Sequence, residues 1–202
     1  MSTAASSNRG LLVTGILAVL VLGGLVALRL TAVERGIASA KRAMDAHDLV
    51  TAEAEWRGVL AEEPSRPDAL YGLGWTLHLA GEVDLARQAF ERCVEDNPDS
   101  PLGYKGLGSV AMAAGNPAVA RRRFEEALER APGDVSIRQS IGLLDLTTGR
   151  ADEAATTFEA LIREGPDRAE LHQALAEARL AQGRGRSEEY TSELQSHSDL
   201  VC

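Results

Sequence analysis

Residues 67–100 read PDALYGLGWTLHLAGEVDLARQAFERCVEDNPDS, and this stretch decides the fold. Leu70, Leu73, Gly74 and Leu77 recur at i, i+3, i+4 and i+7, the spacing that gathers apolar groups on one helical face. Gly81 follows, the residue type that ends a helix in a left-handed conformation. Ala86, Phe90 and Cys93 then step by four and three along a second helix. Asp96-Asn97-Pro98 closes that helix, because proline lacks an N–H and clashes with the preceding turn. The segment predicts two helices joined by a tight turn. Gly74 and Ala86 are small enough to let them approach closely, and Phe90 fills the space between successive pairs.

Working outward, the same signals return every 34 residues. Pro64, Pro98, Pro132 and Pro166 keep that interval, as do Ala52, Ala86, Ala120 and Ala154. Phe90, Phe124 and Phe158 form a third series, with Trp56 one period earlier. Gly74, Gly108 and Gly142 form a fourth; Gly81, Gly115, Gly149 and Gly183 form a fifth, with His47 in its first position. A hairpin of this size cannot bury its own apolar face, so neighbours stack to cover one another and build a solenoid.

The order Leu73-Gly74, Gly81, Ala86, Phe90, Pro98 closely resembles the tetratricopeptide repeat. The resemblance implies an all-α chain, a right-handed helix-turn-helix solenoid over residues 33–185. Its units are Val33–Arg66, Pro67–Ser100, Pro101–Asp134 and Val135–Arg168, with a partial unit over 169–185. The first unit is degenerate, carrying Ser39-Ala40 for Leu-Gly and His47-Asp48 at the turn.

The N-terminus has a different character. After a short tail over 1–10, Leu11 to Leu28 reads LLVTGILAVLVLGGLVAL, eighteen residues without a charge. Its Leu, Val and Ile residues supply about -4 to -7 kcal/mol of insertion free energy, and a helix of that length spans about 27 Å. A transmembrane helix over 11–30 is expected, and with it a single-pass protein of a bacterial inner membrane. Arg29, Arg35, Lys41 and Arg42 follow the span against Arg9 before it, which leans towards a cytoplasmic C-terminal domain. Cleavage after Leu30-Thr31-Ala32 would instead give a secreted periplasmic module.

At the other end the period vanishes after residue 185. Arg186–Cys202 reads RSEEYTSELQSHSDLVC, which resembles the translation of sequencing-adapter read-through and is expected to be non-native. A solenoid ending on an unpaired helix is expected to expose an apolar face there, which would mean that the natural chain continues. Without the tail, Cys93 is the one cysteine, at a small core position that predicts a buried, inert thiol.

The 202 residues carry a formal net charge of -9, which argues against nucleic-acid binding. No catalytic or metal constellation is found: His47, His78 and His172 occupy different repeat positions and lack a His or Cys partner at i+3 or i+4. Gly103-Tyr-Lys-Gly106-Leu-Gly108-Ser109 has the look of a phosphate loop, but no strand precedes it and its glycines obey the repeat. Arg121-Arg122-Arg123 reads as a solvated face, with Arg121–Glu125, Arg122–Glu126 and Glu126–Arg130 as i,i+4 pairs.

Carrying over the groove positions of the resembling family gives Lys41, Met44, Tyr71, Trp75, His78, Lys105, Ser109, Met112, Gln139 and Leu143 as candidate partner contacts. Tyr71 and Trp75 lie one turn apart, with His78 beside them and Lys105 on the next unit. Aromatic and cationic groups of this kind suit a protein or peptide ligand. Lys105 also fits one place of the family's carboxylate clamp, but Ser109 stands where its asparagine would be, so that specificity is not expected. The reading is a membrane-anchored adaptor without enzyme activity or cofactor, acting in envelope or cytochrome assembly. Its alternative is the N-terminal binding region of a larger enzyme or sensor.

Overall fold

The computed structural model describes residues 29–165 and 168–183. Helix α1 (29–45) precedes α2 (Leu49–Glu62), α3 (Pro67–Leu79), α4 (Val83–Asp96), α5 (Pro101–Ala113), α6 (Pro117–Arg130), α7 (Val135–Thr147) and α8 (Ala151–Glu164). Helix α9 (169–183) follows. Odd and even helices pair as hairpins, each hairpin packs on the next, and α3, α5 and α7 lie side by side. The result is an all-α solenoid. Helices α3, α5 and α7 start at the residues that open the expected units.

Local chemistry sets these boundaries. Proline occupies the first turn of α3, α5 and α6, where its missing N–H would have had no partner. Asp134 caps α7, accepting from the Ser136 and Ile137 amides at 2.8 and 3.2 Å, and Asp48 caps α2 through Thr51 N–H. Gly81, Gly115 and Gly149 turn the chain between helices with φ of +83°, +72° and +79°. In each turn the next amide returns to a carbonyl five residues back, as Glu82 does to Leu77 at 2.9 Å. His47 makes the same turn at φ +59°, so the first unit keeps the repeat's backbone without its glycine.

The core runs along the solenoid as a line of aromatic wedges. Trp56, Phe90, Phe124 and Phe158 are buried, and glycines receive them. A Cβ on Gly74 would stand 2.6 Å from the Phe90 ring, one on Gly108 2.5 Å from Phe124 and one on Gly142 2.9 Å from Phe158. The next unit's first helix also yields: a Cβ on Gly106 would meet Phe90 at 2.2 Å, and one on Gly72 would meet Trp56 at 2.4 Å. Ala52, Ala86, Ala120 and Ala154 are fully buried. Pro98 and Pro132 stand just past α4 and α6. The Pro98 carbonyl accepts from Arg130 at 2.6 Å; Pro166 lies outside the described residues.

Two expectations concern the ends of the described chain. The open side of α9 is mainly polar or small rather than apolar: His172, Gln173, Ala176, Glu177 and Arg179 are exposed, with Leu180 the large apolar exception. His172 and Arg179 stand where the period puts Leu70 and Leu77. The span expected at 11–30 lies outside the described residues except for its last two, which begin α1. Among the described residues no helix is long and apolar enough to cross a membrane. The expected non-native tail, 186–202, also lies outside them.

Candidate functional site

Helix α3 presents three rings at successive turns. Tyr71 and Trp75 stack with centroids 6.5 Å apart and planes 9° apart, and His78 tilts against Trp75 at 5.4 Å. All three are half-buried. Tyr71 also leans on Phe90 at 5.7 Å, so the row is braced from below by the core wedge. Two-angle side chains held this way lose little freedom when something lies on them.

Lys105 reaches this row from α5. Its ammonium stands 5.3 Å above the Tyr71 ring and donates to Ser136 Oγ at 2.8 Å. The Ser136 hydroxyl in turn donates to Asp134 Oδ1 at 2.6 Å. A chain of contacts thus links three consecutive first helices. Burial by itself would raise the Asp134 carboxyl, but hydrogen bonds from Ser136 and Ile137, with Lys105 nearby, hold it below its ordinary value.

The other expected contacts are placed as follows. Ser109 turns its hydroxyl back to the Lys105 carbonyl at 3.1 Å. Met112 packs against the cluster around Phe124, Leu143 against that around Phe158, and Met44 against that around Trp56. Lys41 is exposed on α1 and Gln139 half-buried on α7. The structure therefore joins Tyr71, Trp75, His78 and Lys105 into one patch and leaves Lys41 and Gln139 outside that contact network. Lys41 and Lys105 are the only two lysines in the sequence. Neither forms an ion pair with a carboxylate among the described residues, unlike most of the arginines on the outer helices.

Elsewhere the polar groups serve structure. Gly103, Gly106 and Gly108 lie within α5 against Val94, Phe90 and Phe124, which makes them packing glycines. Cys93 is fully buried, and burial pushes its thiol up to about 11, so it stays protonated near neutrality. In the basic run the expected pairs Arg121–Glu125 and Arg122–Glu126 stand at 3.9 and 4.0 Å, while Arg130 turns away from the Glu126 carboxylate. Arg130 donates to the Pro98 carbonyl and the Tyr104 hydroxyl and covers the Tyr104 ring at 3.8 Å. Glu126 is held more closely by Arg123, at 2.8 Å. Arg121 stands 3.9 Å from Glu125 but is bonded to the buried Asp145. Sequence reasoning missed Asp145, whose signal is a carboxylate in a register where earlier units carry Leu77 and Ala111.

Two family models, each described as tetratricopeptide repeat, match residues 37–101 and 111–178. No curated protein matches the sequence. Among solved structures, TTC0263, a thermophilic repeat protein of Thermus thermophilus, shares 23% identity over 75% of this chain and 84% of its own, with a TM-score of 0.68. The MamA protein shares 20% over 80% and 88%, at 0.55. YrrB, a repeat protein with an unusual peptide-binding site, shares 22% over 73% and 76%, at 0.51. At these identities the likeness is one of fold.

Proposed function

This chain is built of tetratricopeptide repeats, and from that premise we propose that it is a membrane-tethered adaptor that holds a protein or peptide partner on the first-helix face through Tyr71, Trp75, His78 and Lys105. The repeats make it a protein-interaction scaffold, in keeping with neighbours such as YrrB, which has a peptide-binding site. The observation that carries the site is the contact of Lys105 with Tyr71 and Ser136 across adjacent units. It joins a rigid aromatic surface to a cation that pairs directly with no carboxylate among the described residues, which is the composition of a binding hot spot.

The mechanism is binding without turnover. The stacked rings offer apolar area at little entropic cost, Lys105 adds a directed charge, and the stiff solenoid keeps both at fixed separation. The apolar segment over 11–28 supports a tether, which would raise the partner's effective concentration at a membrane. Envelope or cytochrome assembly is the process we assign to such an arrangement.

Replacing Trp75 and Lys105 together with Ala tests the site. Partner capture by the full-length chain should fall by about thirtyfold or more, as loss of a hot-spot aromatic does, while far-ultraviolet circular dichroism stays unchanged. Undiminished capture by a folded double variant would overturn the assignment. Recovery of the uncleaved chain in the membrane fraction after carbonate extraction tests the tether separately.

A further inference from the structure

On the edge formed by the turns inside the hairpins, a cleft of about 510 Å³ opens between the start of α6 and the α7–α8 turn. It is lined by Pro117, Ala118, Arg121, Arg122, Glu125, Thr148 and Arg150. Beneath it lies Asp145, only 4% exposed. Arg121 bonds its Oδ1 from α6, and Arg150 approaches the same oxygen at 2.8 Å from the turn. A buried ion pair is poor value as a stabiliser, since apolar residues of similar volume do as well or better. Leu77 and Ala111 occupy this register in the two preceding units. What Asp145 achieves here is positional: it clamps two guanidinium groups side by side at a cleft wall.

Those groups retain donors. A guanidinium has five N–H donors. The Arg150 Nε lies 2.8 Å from Asp145 without hydrogen-bond alignment, its Nη groups have no partner among the described residues, and the other nitrogen of the Arg121 fork stands 3.9 Å from Glu125. Arg122, mostly exposed, stands 4.0 Å from Glu126, beyond hydrogen-bond reach. The side chain of Asn116 does not cap α6, so the Ala118 and Val119 amides add two more donors. The combination occurs once along the repeats. The register of Arg122 and Arg150 carries Gln88 and Asn116 one unit earlier, and Arg87 there is held by Asp84 and Glu91.

We propose that this cleft is an oxyanion site that takes a phosphate monoester, distinct from the aromatic patch on the first helices. Planar guanidinium forks match the tetrahedral oxygens in bidentate geometry, and three of them outweigh the single opposing charge of Glu125 at the rim. The ester belongs either to a free metabolite or to a phosphorylated side chain, and the chemistry recognised is the same.

Titrating the full-length protein with inorganic phosphate, phenyl phosphate and a phosphoserine hexapeptide, followed by ³¹P line broadening and calorimetry, tests this. Saturable binding is expected, weakened about tenfold or more in Arg122→Gln and in Arg150→Gln, as expected for a charged hydrogen bond removed. Binding should also strengthen from pH 5.5 to 7.5, as the ligand loses its second proton near pH 6. Arg122 is exposed, so that variant stays folded and informative even where Arg150→Gln does not. Tighter binding of the peptide than of phenyl phosphate identifies a protein side chain as the source, and the reverse a free ester. No saturable binding by about 10 mM ligand, unaltered binding in both variants, or equal binding of sulfate overturns the proposal.

Discussion

His47 shows how much one residue's conformation weighs. It stands where three later units place glycine, and it adopts φ +59°, a region in which a Cβ crowds the following carbonyl. The turn forms nonetheless, because its amides find the same partners: His47 N–H to Met44 at 3.0 Å and Asp48 N–H to Ala43 at 2.8 Å. His47→Gly should therefore raise stability by about 1 kcal/mol, read as a higher urea midpoint at unchanged slope. A lower midpoint would mean that the imidazole contributes more than the strain costs. Asp145 teaches the complementary lesson. Its register predicts an apolar residue, and the two arginines that tolerate it come from elements 24 residues before and 5 residues after it, so no local window reveals them.

At the scale of the element, α7 depends on its first turn. Asp134 accepts from two amides and from the Ser136 hydroxyl, and Ser136 is also the partner of Lys105. The carboxyl titrates below its ordinary value of 3.8. A depressed carboxyl contributes stability above its unfolded pKa and loses it as pH falls through the folded one. Stability should thus decline on acidification from about pH 5 to below pH 3, and Asp134→Asn should flatten that part of the curve. Asp134→Ala should cost about 1 kcal/mol at neutral pH, measured by chemical denaturation. An acid limb identical in the Asn variant would show that this cap is not what titrates.

For the whole molecule, stability is a sum over neighbouring units, because each repeat touches only the next. The junction between the second and third units passes through Phe90 seated on Gly74 and Gly106. A Cβ at Gly106 would stand 2.2 Å from that ring, and the ring, pinned between two helices, has nowhere to retreat. Gly106→Ala should destabilise by about 1–3 kcal/mol, with amide exchange rising first along α4 and α5. An unchanged melt would show the junction to be more yielding than the packing implies. The period of 34, the wedge residues and the turn glycines were all legible in the sequence, because each follows from local backbone chemistry or from a spacing that recurs. The aromatic row on α3 was legible only through the groove positions that the family resemblance supplied, since Tyr71, Trp75 and His78 do not recur with the period. Tertiary structure alone decided which charges meet: Arg130 with Tyr104, Arg121 and Arg150 with Asp145, Lys105 with Ser136. Arginine and lysine side chains reach across units to several partners of similar energy. Spacing along the chain settles which face a charge lies on, and only the stacking of one hairpin on the next settles what it touches.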